Sequence, residues 1–174
     1  MRHIALVLAP AIMLAALAAA GAAETAASPP VKIAVFPFEL EDFSAGAAYV
    51  APDDIDREQL RFSTEEARRL IAASGRYQLV DVSAVNEEAA KAGKLRECAG
   101  CDAKIAAGLG ADQSMIGIVT RITRTEYAVT YRIRNAQSGA LVDVKQTDLR
   151  MGANVAWSRG ARWLIENRLL EQAK

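Results

Sequence analysis

Cys98 and Cys101, separated by Ala99-Gly100, are the two cysteines of this 174-residue chain and its sharpest chemical signal. Two intervening residues suit a local disulfide and also a redox-active pair. Asp102 follows and is expected to cap a helix, whose N-terminus would favour a thiolate here. In an oxidising compartment the pair reads first as a structural staple between loop and helix. Thiol–disulfide catalysis, reduced thiols and pairing between chains stand as alternatives. Lys94-Leu95-Arg96-Glu97 supplies no aromatic-rich strand ahead of the first cysteine, which weakens the catalytic reading. Haem attachment would need a histidine directly after Cys101, where Asp102 stands.

A second cluster is acidic. Glu39, Glu41, Asp42, Asp53, Asp54 and Asp56 follow the first apolar strand. Calcium takes several oxygen ligands, but this spacing does not match a calcium loop, so the plainer expectation is a solvated loop. Ligands in α/β folds gather at the C-terminal ends of parallel strands. That makes Glu39, Glu41, Asp42, Asp53 and Asp54 the first candidates for a partner-binding loop, with acids replaceable at little cost in stability.

The single histidine is His3. Met1-Arg2-His3 is a short basic start, Ile4 to Ala20 is apolar and alanine-rich, and Gly21-Ala22-Ala23 is small. This is the three-part pattern of a cleaved export signal over 1–23, pointing to the periplasm. A mature chain starting near Glu24 would contain no histidine, which rules out a serine–histidine–acid triad built on Ser63, Ser74 or Ser83. Residues 24–30 read as a flexible alanine–serine–proline leader. Residues 31–174 suit one domain. After removal of Arg2, acids exceed bases by one. That balance gives no electrostatic case for nucleic acid or an anionic membrane surface. No second run approaches the roughly 20 apolar residues of a membrane span. Gly108-Leu109-Gly110 lacks the lysine and hydroxyl of a phosphate loop, and no spacing nominates a metal or another cofactor. Arg68-Arg69 and Arg121 to Arg124 read as solvated surface.

The elements that must position these residues follow from periodicity. Val31 to Phe38 is a nearly continuous apolar strand with Pro37 at its end. Glu39 to Asp54 reads as irregular. Leu60, Thr64, Ala67 and Ile71 define one face of a helix over 56–74, stopped by Gly75. A strand over 77–82 completes a βαβ start. Helices are expected over 83–91 and 102–109. Strands over 115–122, 125–134 and 141–149 then form an antiparallel meander. Tyr127, Val129, Tyr131 and Ile133 share its core face. Asn154 is expected to cap a last helix over 155–171. The fold class is therefore α/β, a mixed sheet with helices packed over it.

Two stretches resemble an uncharacterised family of predicted secreted bacterial proteins, domain of unknown function 2380. They are Ile33-Ala34-Val35-Phe36-Pro37-Phe38-Glu39-Leu40, and Cys98 to Asp102 with Leu109-Gly110-Ala111-Asp112-Gln113. The tail from Ser158-Arg159-Gly160 to Leu170 fits as well. This family brings no catalytic residue. Phe36-Pro37-Phe38 and Leu109-Gly110-Ala111-Asp112 are also similar to the amino-terminal domain of TolB and to CsgG-like envelope domains. Those relatives imply an interaction or assembly domain. The combined expectation is a non-catalytic periplasmic interaction or accessory domain with an envelope or periplasmic protein as partner. A thiol redox protein using Cys98 and Cys101, or a small-molecule or cation binder using the acidic loop, is the alternative.

The intact mass of the exported protein should correspond to a chain beginning near Glu24. A full-length mass in a membrane pellet that survives carbonate extraction would contradict the signal reading.

Overall fold

A computed structural model describes residues 29–47, 52–85 and 94–171. Seven strands form one mixed sheet: β1 (Val31–Val35), β2 (Glu39–Asp42), β3 (Tyr77–Leu79), β4 (Gln113–Thr123), β5 (Glu126–Asn135), β6 (Leu141–Gln146) and β7 (Arg150–Met151). The main path runs β3-β1-β4-β5-β6; β2 also pairs with β4 and β7 with β5. β1 is parallel to both β3 and β4, whereas β4, β5 and β6 are antiparallel in succession. The expected βαβ start and meander are therefore present in one sheet.

β1 carries apolar residues on both faces because both are covered. Ile33 and Val35 join the core beneath α1 (Asp54–Ala73) and α3 (Trp157–Leu164), while Ala34 and Phe36 join the core beneath α2 (Cys101–Gly108). The same division runs along β4: Met115 and Val119 face α1 and α3, Ile116 and Ile118 face α2. α2 buries only Ala103, Ala106 and Asp102, small side chains that let it lie close to the sheet. Tyr127, Val129, Tyr131 and Ile133 are buried on the first face, as their alternation requires.

β1 and β2 use the same side of β4, one after the other. Pro37 sits between them, in keeping with its missing donor. The Phe38 amide is satisfied by Thr64 Oγ1 of α1 at 2.8 Å, and the same hydroxyl donates to Leu60 O. The Phe38 ring fills the space over Gly117, where a Cβ would fall 2.1 Å from Phe38 Cε1.

Several expectations need correction. Glu39–Asp42 is strand, because its backbone completes the ladder on β4 although only Leu40 is buried. The strand expected over 77–82 ends at Leu79, and Ser83–Val85 is a short 3-10 turn where a helix over 83–91 was expected. Residues 86–93 of that helix lie outside the described residues. The strand expected over 141–149 stops at Gln146. There Thr147 turns its hydroxyl onto the Val129 amide at 3.0 Å, taking a place a ladder carbonyl would hold. Asp102 and Asn154 are not caps. Gly100 precedes α2 with φ +105°, while Asn154 opens a 3-10 turn, Asn154–Ala156. α3 then continues as a π-helical segment, Ile165–Leu170.

Gly117→Ala forces a methyl group into the Phe38 ring and should cost about 1–3 kcal/mol, the range of core overpacking. Gly108→Ala, where a Cβ meets nothing within 4 Å, should be neutral or stabilising by about 0.5 kcal/mol. Urea midpoints of the two variants against wild type measure the contrast.

Candidate functional site

β2 and the first turn of α1 bring Asp42 and Asp56 together on Arg121. Asp53 caps α1, its carboxylate accepting from the Asp56 amide at 2.7 Å. That places Asp56 on the buried side of the first turn. Arg121, near the end of β4, reaches across to both β2 and α1. Its Nη1 donates to Asp56 Oδ1 at 3.0 Å, and its Nε donates to Asp42 Oδ2 at 2.9 Å, with Nη2 on the same oxygen. Asn154 Nδ2 adds a bond to Asp56 Oδ1 at 3.1 Å. Ser44 donates to Asp42 through its amide and its hydroxyl. The result is a closed network, Asp42–Arg121–Asp56–Asn154, beside a cleft that also touches Ser44 and Arg124.

Each sequence-designated acid can now be placed. Glu39 points to the α2 side of the sheet, accepting from the amides of Leu95 and Arg96 at 2.6 and 3.2 Å and from Arg96 Nη1 at 3.1 Å. Glu41 accepts from Thr120 Oγ1 at 3.3 Å. Asp42 lies in the Arg121 network and Asp53 caps α1. Asp54 pairs with Arg57 and has a fully solvated side chain. The expectation that these acids are dispensable to folding therefore changes: Glu39, Asp42 and Asp53 are held by internal partners. Arg121 is likewise not solvated surface but a bridge between two carboxylates, its side chain one-fifth exposed. Arg68 donates its Nε and Nη2 to Val35 O, which takes it too out of the solvated class. Sequence reasoning missed the pairing of Arg121 with Asp42 and Asp56, which lie 79 and 65 residues away. It also missed Phe43 and Ile55, which flank this region and are 65 % and 54 % exposed.

Burial alone would push the Asp42 carboxyl up. Hydrogen bonds from Arg121 and Ser44 outweigh it, so the group titrates below its ordinary 3.8. Arg121 is held above its usual value, chiefly by the Asp42 carboxylate against the opposing effect of burial. Asp42 and Arg121 are thus both charged at neutral pH and pair with each other. Among the described residues, no three His, Cys, Asp or Glu side chains converge as metal ligands.

Cys98 and Cys101 are joined as a disulfide, and Cys101 is the first residue of α2. The adjacent Asp102 is completely buried and accepts from Ser114 Oγ at 2.6 Å, tying the start of α2 to β4. No described helix is long and apolar enough to cross a membrane.

Residues 31–169 match the family described as "Protein of unknown function (DUF2380)", and the chain belongs to it. No curated protein matches the chain. Among solved structures, the chain is similar to the LpoB C-terminal domain from Salmonella enterica at 13 % identity and TM-score 0.46, covering 71 % of this chain and 84 % of that one. It is similar to lipoprotein GNA1162 from Neisseria meningitidis at 18 % identity and TM-score 0.46, covering 72 % and 84 %. It is also similar to TolB from Acinetobacter baumannii at 14 % identity and TM-score 0.42, covering 80 % of this chain and 28 % of that one.

Asp56→Ala leaves Arg121 half-paired and Asn154 without its acceptor, and should cost about 2 kcal/mol. Asp42 has a depressed folded-state pKa. Its contribution is complete above the ordinary carboxylate value and is lost as pH falls through the folded value. Asp42→Asn should therefore lower stability at neutral pH and flatten the acid limb. Urea midpoints followed from neutral to acid pH check both effects.

Proposed function

We propose that this chain is a non-catalytic interaction or accessory domain of the bacterial envelope, working in the periplasm once its signal segment is removed. The observation that carries this reading is how its acids are used. Glu39, Asp42, Asp53 and Asp56 are bonded to amides, guanidinium groups or an amide side chain. Asp42 and Asp56 join strand to helix through Arg121, Asp53 caps α1 and Glu39 holds the turn at Leu95 and Arg96, uses that leave them poorly placed for proton transfer to a substrate. What this region offers outward is exposed apolar side chains: Phe43, directly after Asp42 of β2, and Ile55, directly after Asp53 and Asp54 in the first turn of α1. Aromatic and aliphatic anchors rimmed by charge suit recognition of another protein. The partner-binding role expected of Glu39, Glu41, Asp42, Asp53 and Asp54 is retained for the loop, with Phe43 and Ile55 as its anchors and the inner acids as its frame.

A second reading rests on Cys101 opening α2. A thiol at a helix N-terminus is stabilised as thiolate, which suits thiol–disulfide exchange.

Phe43→Ser/Ile55→Ser should change stability by no more than about 0.5 kcal/mol per site, as for ordinary surface positions. It should lose the envelope protein that wild type retains in affinity capture from periplasmic and envelope extract. Equal recovery by both forms rejects the surface. A reduction potential well above about −300 mV, with substrate reduction lost in Cys98→Ser, would replace the interaction reading with the redox one.

A further inference from the structure

β6 is the last strand of the sheet path, and its outer side faces no other strand among the described residues. Such an edge displays unpaired amides and carbonyls and is a template for another chain. This one is also apolar: Leu141 and Val142 are more than half exposed, and Val144 is exposed as well.

The ladder geometry fixes which groups point outward. Thr147 N donates to Val129 O, so the 129/147 position is a hydrogen-bonding one. Such positions alternate along an antiparallel pair. With Lys145 opposite Tyr131 and Asp143 opposite Ile133, residues 143 and 145 bond inward to β5. Val144, opposite Arg132, therefore directs its amide and carbonyl away from the sheet.

A second copy of the same edge can pair with these groups only in registers that place outward residues opposite outward residues. Centring the pair on Val144 sets Val144 against Val144 of the second copy, each donating to the other. Asp143 then lies opposite Lys145 of the second copy, and Lys145 opposite its Asp143. These fall at non-hydrogen-bonded positions, where side chains are closest. A shift of one step toward the N-terminus sets Asp143 against Asp143; a shift the other way sets Lys145 against Lys145. Like charges directly opposite disfavour both. Within one chain Asp143 and Lys145 already sit 3.2 Å apart on one face, and the Tyr131 hydroxyl donates to Asp143 at 2.7 Å. The charged pair is thus held in place before a second copy arrives.

We propose that β6 is a homodimerisation edge, on which two copies pair antiparallel about a two-fold axis at Val144 and select that register by reciprocal Asp143–Lys145 pairs. This stands independently of the β2–α1 surface, which lies elsewhere in the fold.

The test is light scattering over a concentration series on the exported protein with its disulfide intact. Wild type should pass from monomer to dimer. Lys145→Asp should weaken the dimer about tenfold, because two attractive cross-strand pairs become repulsive. Asp143→Lys/Lys145→Asp should restore it, since opposite charges again face each other; the Tyr131 hydroxyl can accept from the new lysine. Val144→Pro removes only an outward amide, so it should stay folded by circular dichroism and lose the dimer. A wild type that is monomeric throughout would overturn the proposal and leave the edge to another chain. So would a dimer that survives Val144→Pro. A dimer broken by proline but indifferent to Lys145→Asp would overturn the Val144 register.

Discussion

β4 has to find backbone partners on both sides over eleven residues, most of them buried. β5 supplies one side without interruption as far as Arg121. The other side is supplied in two pieces, β1 and then β2, with Phe36-Pro37-Phe38 between them. The break leaves Phe38 free to lay its ring over Gly117, and Thr64 satisfies the amide exposed by it. The Thr64 hydrogen bond therefore ties α1 to the sheet at the point where the ladder changes strands. Glycine at 117 and a hydroxyl at 64 are requirements of that arrangement, since a side chain at the first or an apolar group at the second would leave either a clash or an unpaired amide.

The position of the charges follows from the same junction. Once β2 runs beside the later part of β4 and α1 begins behind it, Asp42, Asp56 and Arg121 must share a small volume. Three charges partly removed from water are tolerable only if they satisfy one another, and a guanidinium with two carboxylates does so with its fork of donors. Arg121 also lies 5.7 Å from the Trp157 ring, which carries the network to the start of α3. The C-terminal helix is thus joined to the first helix by an electrostatic contact at one end. At the other, Glu66 bonds to both Arg69 and Arg162, which together hold its carboxyl down to about 2. An acidic segment that looks like surface in the sequence is in this way part of what aligns two helices over the sheet.

The long apolar and alternating elements were legible in the sequence because one residue pattern fits one environment. β1 is apolar on both sides since both sides are covered, and β5 alternates since one side is better covered than the other. Gly75 marks the end of α1 through its positive φ, which a sequence reading anticipates. β2 was not legible: four residues with three acids carry no apolar period, and only the free side of β4 makes them a strand. The caps misassigned to Asp102 and Asn154 failed for a related reason. Asp102 lies inside α2 and accepts from Ser114, while Asn154 opens the 3-10 turn, its Oδ1 accepting from the Val155 amide and its Nδ2 donating to the distant Asp56. The site suffered most, because whether an acid is spent internally depends on Arg96 and Arg121, whose approach no local window encodes. The cysteine pair was the exception, its closure being set by a separation of three residues.

The two edges of the sheet are treated differently, and the difference bears on where the fold leaves room for contact. β3 is three residues long, and next to it Arg76 donates to the carbonyls of Leu169 and Leu170, drawing the C-terminal segment toward that edge. A short strand beside a packed helix offers little template for an incoming chain. β6 is twice as long and carries one lysine as its only basic residue. Its exposed Val144 lies opposite Arg132 of β5, whose Nη2 donates to Arg96 O, so the segment ahead of the disulfide packs over the inner strands. Among the described residues that cover does not extend to β6, whose apolar side chains are exposed. Burial of those side chains would be favourable at about 25 cal/mol per Å². Among the described residues, the β3 edge is short and flanked by the Ile165–Leu170 segment, whereas the β6 edge is long, apolar and charge-alternating, so the capacity for strand addition lies mainly on the β6 side.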